Sequence, residues 1–539
     1  MESNRDLKVW MPQLQPGEGQ PALPLREQEA ERIENCRRKG LQYLQQGGYL
    51  AAWQEFEEMR IGHQWPSATP RTRHLPRPVF NIIELMVNHK LAQVLNENMK
   101  IVFLPEGRMD LQPEQGQAAR FYTRFAEMVW QDLNFGEIVE QALDNAATYG
   151  CGIWHFYWDA KKAGRGPFKY SGGIAAEVID PVNCYFGNPQ QRDVQKQPWI
   201  LIASREEVAK LRVMAKANGL PEMGICADRL GLEFASEAAR NELDEQAKAT
   251  LLTRYFRGEN GHIYYAQAAA GQLITPPTDS GLTLYPLEVM SWKIRKNSIY
   301  GISEVEGAIP NQKGLNFVMA MMMLSVQDTA WPKILTKPGA LNQQLTNVPG
   351  EVVVDHYGVG DGIKYLAPAP FSGAALSLVD HIYDLTRGIS GLHQVATGEI
   401  YNPQMSGAAI VALQQASAMP VEQIKKRFVR ALVNIGRIWE DFFKHKYNTS
   451  RMLVLENAEG RGERPIRFTP ADYVEVPMDL KIDVGPGTSF SDVLMMTNLE
   501  NFLEKGHISF EEALEFMPDS AVPFRAQLLE QIRQRGREA

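Results

Sequence analysis

The segment from Ser303 to Asp328 constrains the fold more than any other part of the chain. Few of its residues carry a formal charge, and these are Glu304, Glu306, Lys313 and Asp328. Most of the others are apolar, including Met319, Met321, Met322 and Met323. The pattern predicts a long helix that can be buried on nearly all of its faces.

This apolar run, broken by Asn316, is too short to cross a bilayer, so other protein must cover the helix. Methionine side chains adapt to irregular partners, which suits helix packing between identical subunits. A central helix in the core of a monomer explains the pattern equally well. The segment alone does not decide between these two interpretations.

The composition is that of a globular protein with more than one packed region. The chain has 539 residues, which exceeds what one hydrophobic core normally supports. Its apolar share of 44% and charged share of 22% are ordinary. The net charge of −8 argues against a tight nucleic-acid binder, which would neutralise phosphates with clustered Lys and Arg.

The sequence lacks the motifs of exported proteins, metal sites and enzymes. The first residues have neither an apolar core nor a cleavage site, so we expect the protein to act where it is made. It has no phosphate-binding Gly-x-x-x-x-Gly-Lys-Ser/Thr loop, no His-Glu-x-x-His and no Gly-x-Ser-x-Gly. The cysteines lie far apart, which predicts reduced thiols, at Cys36, Cys151, Cys184 and Cys226. We therefore predict a protein without catalytic residues, metal or cofactor.

The first half of the chain predicts a mixed α+β region after a proline-rich, flexible lead-in. Two helices are predicted to begin near Gln28 and near Ser204, where Glu207 completes a capping box. Two more are predicted to span Val79–Asn98 and Asp132–Tyr149. The helix at Val79–Asn98 is expected to bury one face, formed by Ile82, Leu85, Met86, His89 and Val94. Predicted strands are Lys100–Pro105, a hairpin between Ile153 and Asp180, Thr250–Phe256, His262–Ala266 and Leu284–Trp292.

The order of elements changes after Trp292, where helices dominate. A Pro/Gly-rich insertion separates the apolar helix from a second helix at Ser372–Ile389, and its best strands are Glu351–His356 and Lys364–Leu366. A further helix runs from Ser406 to about Lys446, and Pro420 predicts a kink or break in it because proline removes a backbone donor. The remaining predicted elements are strands at Met452–Glu456 and Met478–Val484 and helices at Ser489–Glu504 and Ser509–Phe516.

Residues 388–421 contain a single formal charge, Glu399, among many Gln, Asn, Ser, Thr and Tyr residues. A loop that lies against a passing polyanion should avoid strong ion pairs and still offer hydrogen bonds. An ordinary Gly-rich connection between two helices explains the same composition more simply.

Several short motifs follow one another in a definite order. Tyr300-Gly301-Ile302-Ser303-Glu304-Val305-Glu306 precedes Asn311-Gln312-Lys313 and Leu315-Asn316. Gly388-Ile389-Ser390-Gly391, Thr397-Gly398 and Ser406-Gly407-Ala408-Ala409-Ile410 come later, whereas Asn81, Pro105, Tyr149-Gly150 and Asp180-Pro181 lie upstream. In order and spacing, from Phe80 to the C-terminus, these motifs resemble the tailed-bacteriophage portal protein family, the head-to-tail connectors.

The resemblance implies an α+β, portal-like fold with a mixed α/β wing, a two-helix stem, a small clip insertion, a kinked long helix and a helical crown. The implied parts are a flexible N-terminal segment (1–27), the wing (28–295), the first stem helix (296–330), the clip (331–370), the second stem helix (371–389), the tunnel loop (390–405), the kinked long helix (406–447), strands that return to the wing (448–487) and the crown (488–539).

The resemblance also implies positions for functional residues. The channel-lining residues of the stem would be Lys313, Asn316 and Arg387. The tunnel-loop residues nearest to DNA would be His393, Gln394, Thr397, Glu399, Tyr401, Asn402 and Gln404. The docking edge of the clip would comprise Lys333, Lys337, Gln343, Gln344 and Asn347.

The implied function is a homo-oligomeric ring, usually a dodecamer, at one capsid vertex of the virion, assembled in the host cytoplasm. Double-stranded DNA would pass through it without sequence specificity, and no membrane would be involved. Its partners would be the packaging terminase large subunit, the head-tail adaptor and the major capsid and scaffolding proteins. One alternative is a cytosolic non-catalytic interaction scaffold. The other is an enzyme of unrecognised chemistry, for example a nuclease, which would need a cleft of convergent carboxylates.

Overall fold

A computed structural model describes residues 25–95, 99–105, 113–162, 172–228, 248–331, 333–339, 362–365, 373–390, 407–456 and 463–484, residue 356 and isolated positions between 499 and 532. The chain divides into two units. The smaller unit comprises Met1–Gly48 and Val182–Tyr285, and the larger unit comprises Tyr49–Pro181 and Pro286–Ala539. The predicted wing is thus divided between the two units.

Helices and strands are interspersed before residue 300, and after it most residues of the described elements are helical. The helices are α1 (Leu25–Gln46), α2 (Tyr49–Arg60), α3 (Ile82–Leu95), α4 (Pro113–Asp132), α5 (Phe135–Tyr149), α6 (Val208–Ala217), α7 (Ile309–Ala330), α8 (Gly373–Ser390) and α9 (Gly407–Lys446). The strands are β1 (Met99–Pro105), β2 (Cys151–Asp159), β3 (Gly173–Ile179), β4 (Cys184–Phe186), β5 (Trp199–Glu207), β6 (Lys248–Arg257), β7 (Ile263–Ala269), β8 (Gln272–Leu282), β9 (Leu287–Ser291), β10 (Ile334–Thr336), β11 (Ile363–Tyr365), β12 (Arg451–Glu456), β13 (Glu463–Phe468) and β14 (Met478–Val484). This mixture confirms the predicted α+β class.

The smaller unit is built on an antiparallel sheet with the order β4-β5-β6-β7-β8, against which α1 and α6 pack. The predicted capping box is wrong, because Ser204 and Glu207 lie in β5 and pair with Leu251 and Lys248 of β6. Strand pairing satisfies their backbone groups, and the helix begins only at Val208. Sequence reasoning missed β8 because it contains two consecutive prolines, which an edge strand tolerates.

The larger unit contains a three-stranded sheet, β3-β2-β9, packed against α5 and α9. The predicted β-hairpin between Ile153 and Asp180 is confirmed: it consists of β2 and β3, in which Ile153 pairs with Ile179. Trp439 of α9 is fully buried and makes edge-to-face contacts with Phe135 and Phe156. The fifteen-residue α5 and this aromatic cluster therefore tie α9 to the sheet.

The C-terminal third of the chain also contributes strands to the larger unit. β14 pairs antiparallel with β1, so that Ile482 lies opposite Ile101. β12 pairs with β13, a strand that the sequence analysis missed. Beyond them, the described C-terminal positions include a small apolar cluster of Leu499, Ala513, Leu514 and Met517.

Three predicted helices differ from the observed ones. α3 buries Ile83, Val87 and Leu91 and leaves Leu85 exposed, because it packs on both α5 and α9. α7 begins at Ile309 rather than Ser303, since the Ser303 hydroxyl donates to the carbonyls of residues 147 and 148 instead of starting a helix. α9 is continuous through Pro420, so the predicted break is wrong and a bend there stays a prediction.

Other predictions fall outside the described residues. The flexible lead-in lies outside them up to residue 24, and α1 already begins at Leu25. Of the predicted strand Glu351–His356, only His356 is described, and it lies in a turn. Of the predicted strand Lys364–Leu366, Lys364 and Tyr365 lie in β11, which pairs with β10, and Leu366 lies outside the described residues.

Candidate functional site

Two helices and two short strands form the candidate site, which we call the hairpin: α7, β10, β11 and α8. The helices pack against each other, and the antiparallel pair β10–β11 lies between them in sequence. Thr336 pairs with Ile363 at one end of that ladder. The hairpin therefore has a closed two-helix base and a short two-stranded extension.

Much of the hairpin surface is apolar and uncovered. The buried residues of α7 are confined to its first two turns, at Ile309, Gln312, Leu315 and Asn316. Large apolar side chains beyond them are exposed, including Phe317, Met321, Met323, Val326, Trp331, Leu378, Leu385 and Ile389. Large apolar side chains exposed in this number on one pair of helices mark an interaction site. The interpretation of α7 as the central helix of a monomeric core is therefore wrong.

A buried polar network anchors the base of α7 to the segment between α2 and α3, within the larger unit. The side-chain amide of Gln312 donates to the carbonyl of Phe80 (2.7 Å) and to Asn316 Oδ1 (3.0 Å), and it accepts from the Ile82 amide (2.9 Å). Asn316 Nδ2 donates to Gln64 Oε1 (2.6 Å), and Gln64 Nε2 donates to Met59 O (2.8 Å). These bonds give partners to the backbone groups at the start of α3 and fix the first two turns of α7 against that segment.

Asn316 does not line a channel, because its side chain is 1% exposed and is held inside the subunit. The expectation from the portal resemblance is wrong at this position. The physical reason is that the first two turns of α7 point their polar side chains at the segment joining α2 to α3.

We expect Asn316→Ala to lower the free energy of unfolding by about 1–3 kcal/mol, because the buried amide groups of Gln64 and Gln312 lose partners. Urea titration of the purified protein measures the change. Asn311→Ala, on the same helix and without a hydrogen bond among the described residues, is the control and should change it by less than about 0.5 kcal/mol. Equal effects for both variants would contradict the anchoring role.

A buried ion cluster lies just before α7 in sequence. Glu304 binds Lys90 of α3 at 2.7 Å, Lys293 at 3.0 Å and the indole N–H of Trp292 at 2.9 Å. The side chains of Lys90 and Glu304 are 8% and 4% exposed. Burial by itself raises the pKa of Glu304, but the two ammonium groups outweigh it and hold the pKa below its usual value. Burial also lowers the pKa of Lys90.

Two glycines cross at close range beside this cluster. A Cβ on Gly301 would lie 2.2 Å from the Gly150 carbonyl oxygen, and a Cβ on Gly150 would lie 2.8 Å from the Gly301 oxygen. Trp292 N donates to Gly150 O at 2.8 Å. Tyr300 packs on Trp53, whose indole N–H donates to the carbonyl of Tyr149. The Tyr149-Gly150 and Tyr300-Gly301 motifs are thus one structural feature, which brings Glu304 to Lys90.

The remaining candidate residues have varied surroundings. Lys313 forms an ion pair with Glu55 at 2.6 Å, and both side chains are about half exposed. The Arg387 guanidinium lies over the Tyr383 ring at 5.3 Å. Lys333 and Lys337 are exposed on either side of β10. Outside the described residues lie His393, Gln394, Thr397, Glu399, Tyr401, Asn402, Gln404, Gln343, Gln344 and Asn347.

Sequence reasoning missed the residues that hold the hairpin base. Lys90 is a single cation on the apolar face of α3, between Val87 and Leu91, and such a position signals a buried partner. Gln64 lies in an irregular segment and carries no comparable signal.

The described residues hold no group of three or more His, Cys, Asp or Glu side chains arranged for a metal ion. Among the described helices, none combines the length and the apolar character that a bilayer span requires.

Comparison with known families identifies the chain. The family model of phage P22-like portal proteins matches residues 203–536, which is more than half of the chain. The chain belongs to this family. The matched region contains the whole hairpin and α9, and membership confirms the predicted portal resemblance. Portal proteins are head-tail connectors that act in phage DNA packaging. No curated protein matches the chain.

Proposed function

We propose that the chain assembles into a closed ring at one capsid vertex and forms the channel through which double-stranded DNA is packaged and ejected. The observation that carries this proposal is the uncovered apolar surface of the hairpin on a base held by buried polar contacts. A closed ring uses heterologous contacts between neighbouring copies, which would cover that surface. The chain itself supplies no catalysis, and ATP hydrolysis comes from the packaging terminase.

Within the hairpin we assign different roles to different residues. Lys313 and Arg387 are the stem cations that face the channel, whereas Asn316 serves the anchor. The extension around β10 and β11, with the exposed Lys333 and Lys337, is the docking edge for the terminase large subunit and the head-tail adaptor. The loop that follows α8 lies nearest to DNA. Capsid and scaffolding proteins would contact the ring from outside, and a dodecamer is the proposed subunit number.

The oligomeric state tests the proposal. Mass photometry and negative-stain microscopy of the purified protein should reveal rings. We expect Val326→Asp/Leu385→Asp to abolish them, because each change introduces a charge into a covered apolar contact. In the wild-type subunit these side chains are 69% and 64% exposed, so the monomer should still fold.

The matched control is Val213→Asp/Met223→Asp in the smaller unit, where the side chains are 68% and 89% exposed. These substitutions add the same charge outside the hairpin, and the rings should survive. A wild-type protein that stays monomeric at high concentration would refute the proposal, as would rings that persist in the hairpin variant.

A further inference from the structure

The long helix α9 has two halves of different charge. Residues 407–421 contain no formally charged side chain. Residues 422–437 contain five basic side chains and one carboxylate, Glu422, which gives this half a local charge of +4 in a chain with a net charge of −8. The change occurs within one continuous helix, so it is a feature of the surface and not of a domain boundary.

The exposed cations of the second half lie on one face, which we call the basic stripe: Lys426, Arg430 and Arg437. Their spacing of four and seven residues places them within about 40° of one another around the helix. Buried side chains such as Phe428, Leu432 and Ile435 occupy the opposite side. The core therefore fixes the direction in which the basic stripe points.

Among the described residues, little negative charge compensates the basic stripe. Lys426 lies 3.7 Å from Glu422, and both side chains are more than half exposed, so their attraction is weak. Arg430 and Arg437 form no ion pair or hydrogen bond with any described residue. Free guanidinium groups present a planar fork of donors that suits phosphate oxygens.

The surroundings of the basic stripe differ from those of a contact between protein subunits. The centre of such a contact is depleted in charge and enriched in aromatic side chains and Met. Between Arg430 and Arg437 the same side carries the half-buried Val433 and Asn434 and no aromatic or Met side chain. A row of cations along a rigid axis fits a linear polyanion better than it fits a second copy of this chain.

We propose that the basic stripe binds the phosphate backbone of double-stranded DNA, an inference that rests on the proposed channel function. The basic stripe spans about 16 Å of helix, over which a duplex carries roughly ten negative charges. Three cations per subunit therefore make a weak contact that can be released and remade. The uncharged half of α9, next to the loop after α8, would let the duplex slide.

Salt-dependent DNA binding by purified rings tests the inference. A blunt-ended DNA duplex is titrated with wild-type rings and with Lys426→Gln/Arg430→Gln/Arg437→Gln rings at several KCl concentrations. We expect the variant to bind DNA at least about tenfold more weakly at the lowest salt. The slope of log affinity against log salt concentration should be shallower by about 0.9 for each phosphate that is no longer neutralised. Arg430→Lys/Arg437→Lys, which keeps the charge, should retain most of the affinity.

The matched control neutralises two Arg and one Lys elsewhere on the larger unit, as Arg71→Gln/Arg73→Gln/Lys296→Gln, all at exposed positions. An equal loss in this control would overturn the inference, because net charge alone would then explain binding. So would unchanged affinity in the variant, wild-type rings that do not bind DNA, or a variant that no longer forms rings. Failure of the wild-type chain to form rings would instead refute the channel function, and the inference with it.

Discussion

Glu304→Gln is expected to lower the free energy of unfolding by about 3–5 kcal/mol, because it leaves Lys90 buried without a counter-charge. The neutral amide also weakens the bonds to Lys293 and to the indole of Trp292. Denaturant titration of the purified protein, followed by far-UV circular dichroism, measures the loss. The segment that leads into α7 is thereby loosened, so ring formation should decline as well.

Glu306→Gln is the matched control, two residues further along the chain. Glu306 pairs with Arg295 at 3.0 Å, but the two side chains are 41% and 37% exposed. Exposed ion pairs stabilise proteins little, so this change should cost less than about 1 kcal/mol. Adding Lys90→Met to Glu304→Gln should restore much of the lost stability, since no unpaired buried charge remains. Similar losses in both single variants would contradict the buried ion cluster.

The effect of Glu304→Gln should depend on pH in a definite direction. The folded-state pKa of Glu304 lies below the unfolded value of 4.5, so the carboxylate contributes stability above that value. This contribution is lost as the pH falls through the folded-state pKa. The difference in stability between wild type and variant should therefore be largest near neutrality and shrink below about pH 4. A difference that grows on acidification would show that another group dominates.

Gly301→Ala is expected to destabilise the fold by more than about 2 kcal/mol. The added methyl group would lie 2.2 Å from the Gly150 carbonyl oxygen and 2.6 Å from that of Lys293. Both atoms belong to the backbone and cannot rotate away. The segments around Gly150 and Gly301 must therefore move apart, and Glu304 must move with the second of them. Thermal unfolding monitored by circular dichroism should reveal the change as a lower melting temperature.

Gly307→Ala controls for the loss of glycine in the same segment. No atom lies within 4 Å of the Cβ position at Gly307, so alanine should change the stability by less than about 1 kcal/mol in either direction. Equal melting temperatures for the two alanine variants would mean that the glycine crossing tolerates a side chain.

Local patterns were sufficient to predict most elements of this protein. Alternation of aromatic and apolar residues predicted β2, and apolar spacing predicted α3, because both signals depend on residues that are neighbours in sequence. Errors appeared where long-range pairing overrode a local signal. Ser204 and Glu207, which were predicted to cap a helix, lie in β5 because they pair with residues of β6.

The sequence by itself determined that the chain is α+β, that α7 is too apolar to stand alone in water, and that an ordered series of portal motifs surrounds it. Only the tertiary structure decided which side of α7 is used inside the subunit. Asn316, Gln312 and Gln64 form one buried network, although Gln64 lies 252 residues from Asn316. Composition and spacing cannot specify such a contact, since hydrogen bonding between buried amides depends on where separate segments meet in space.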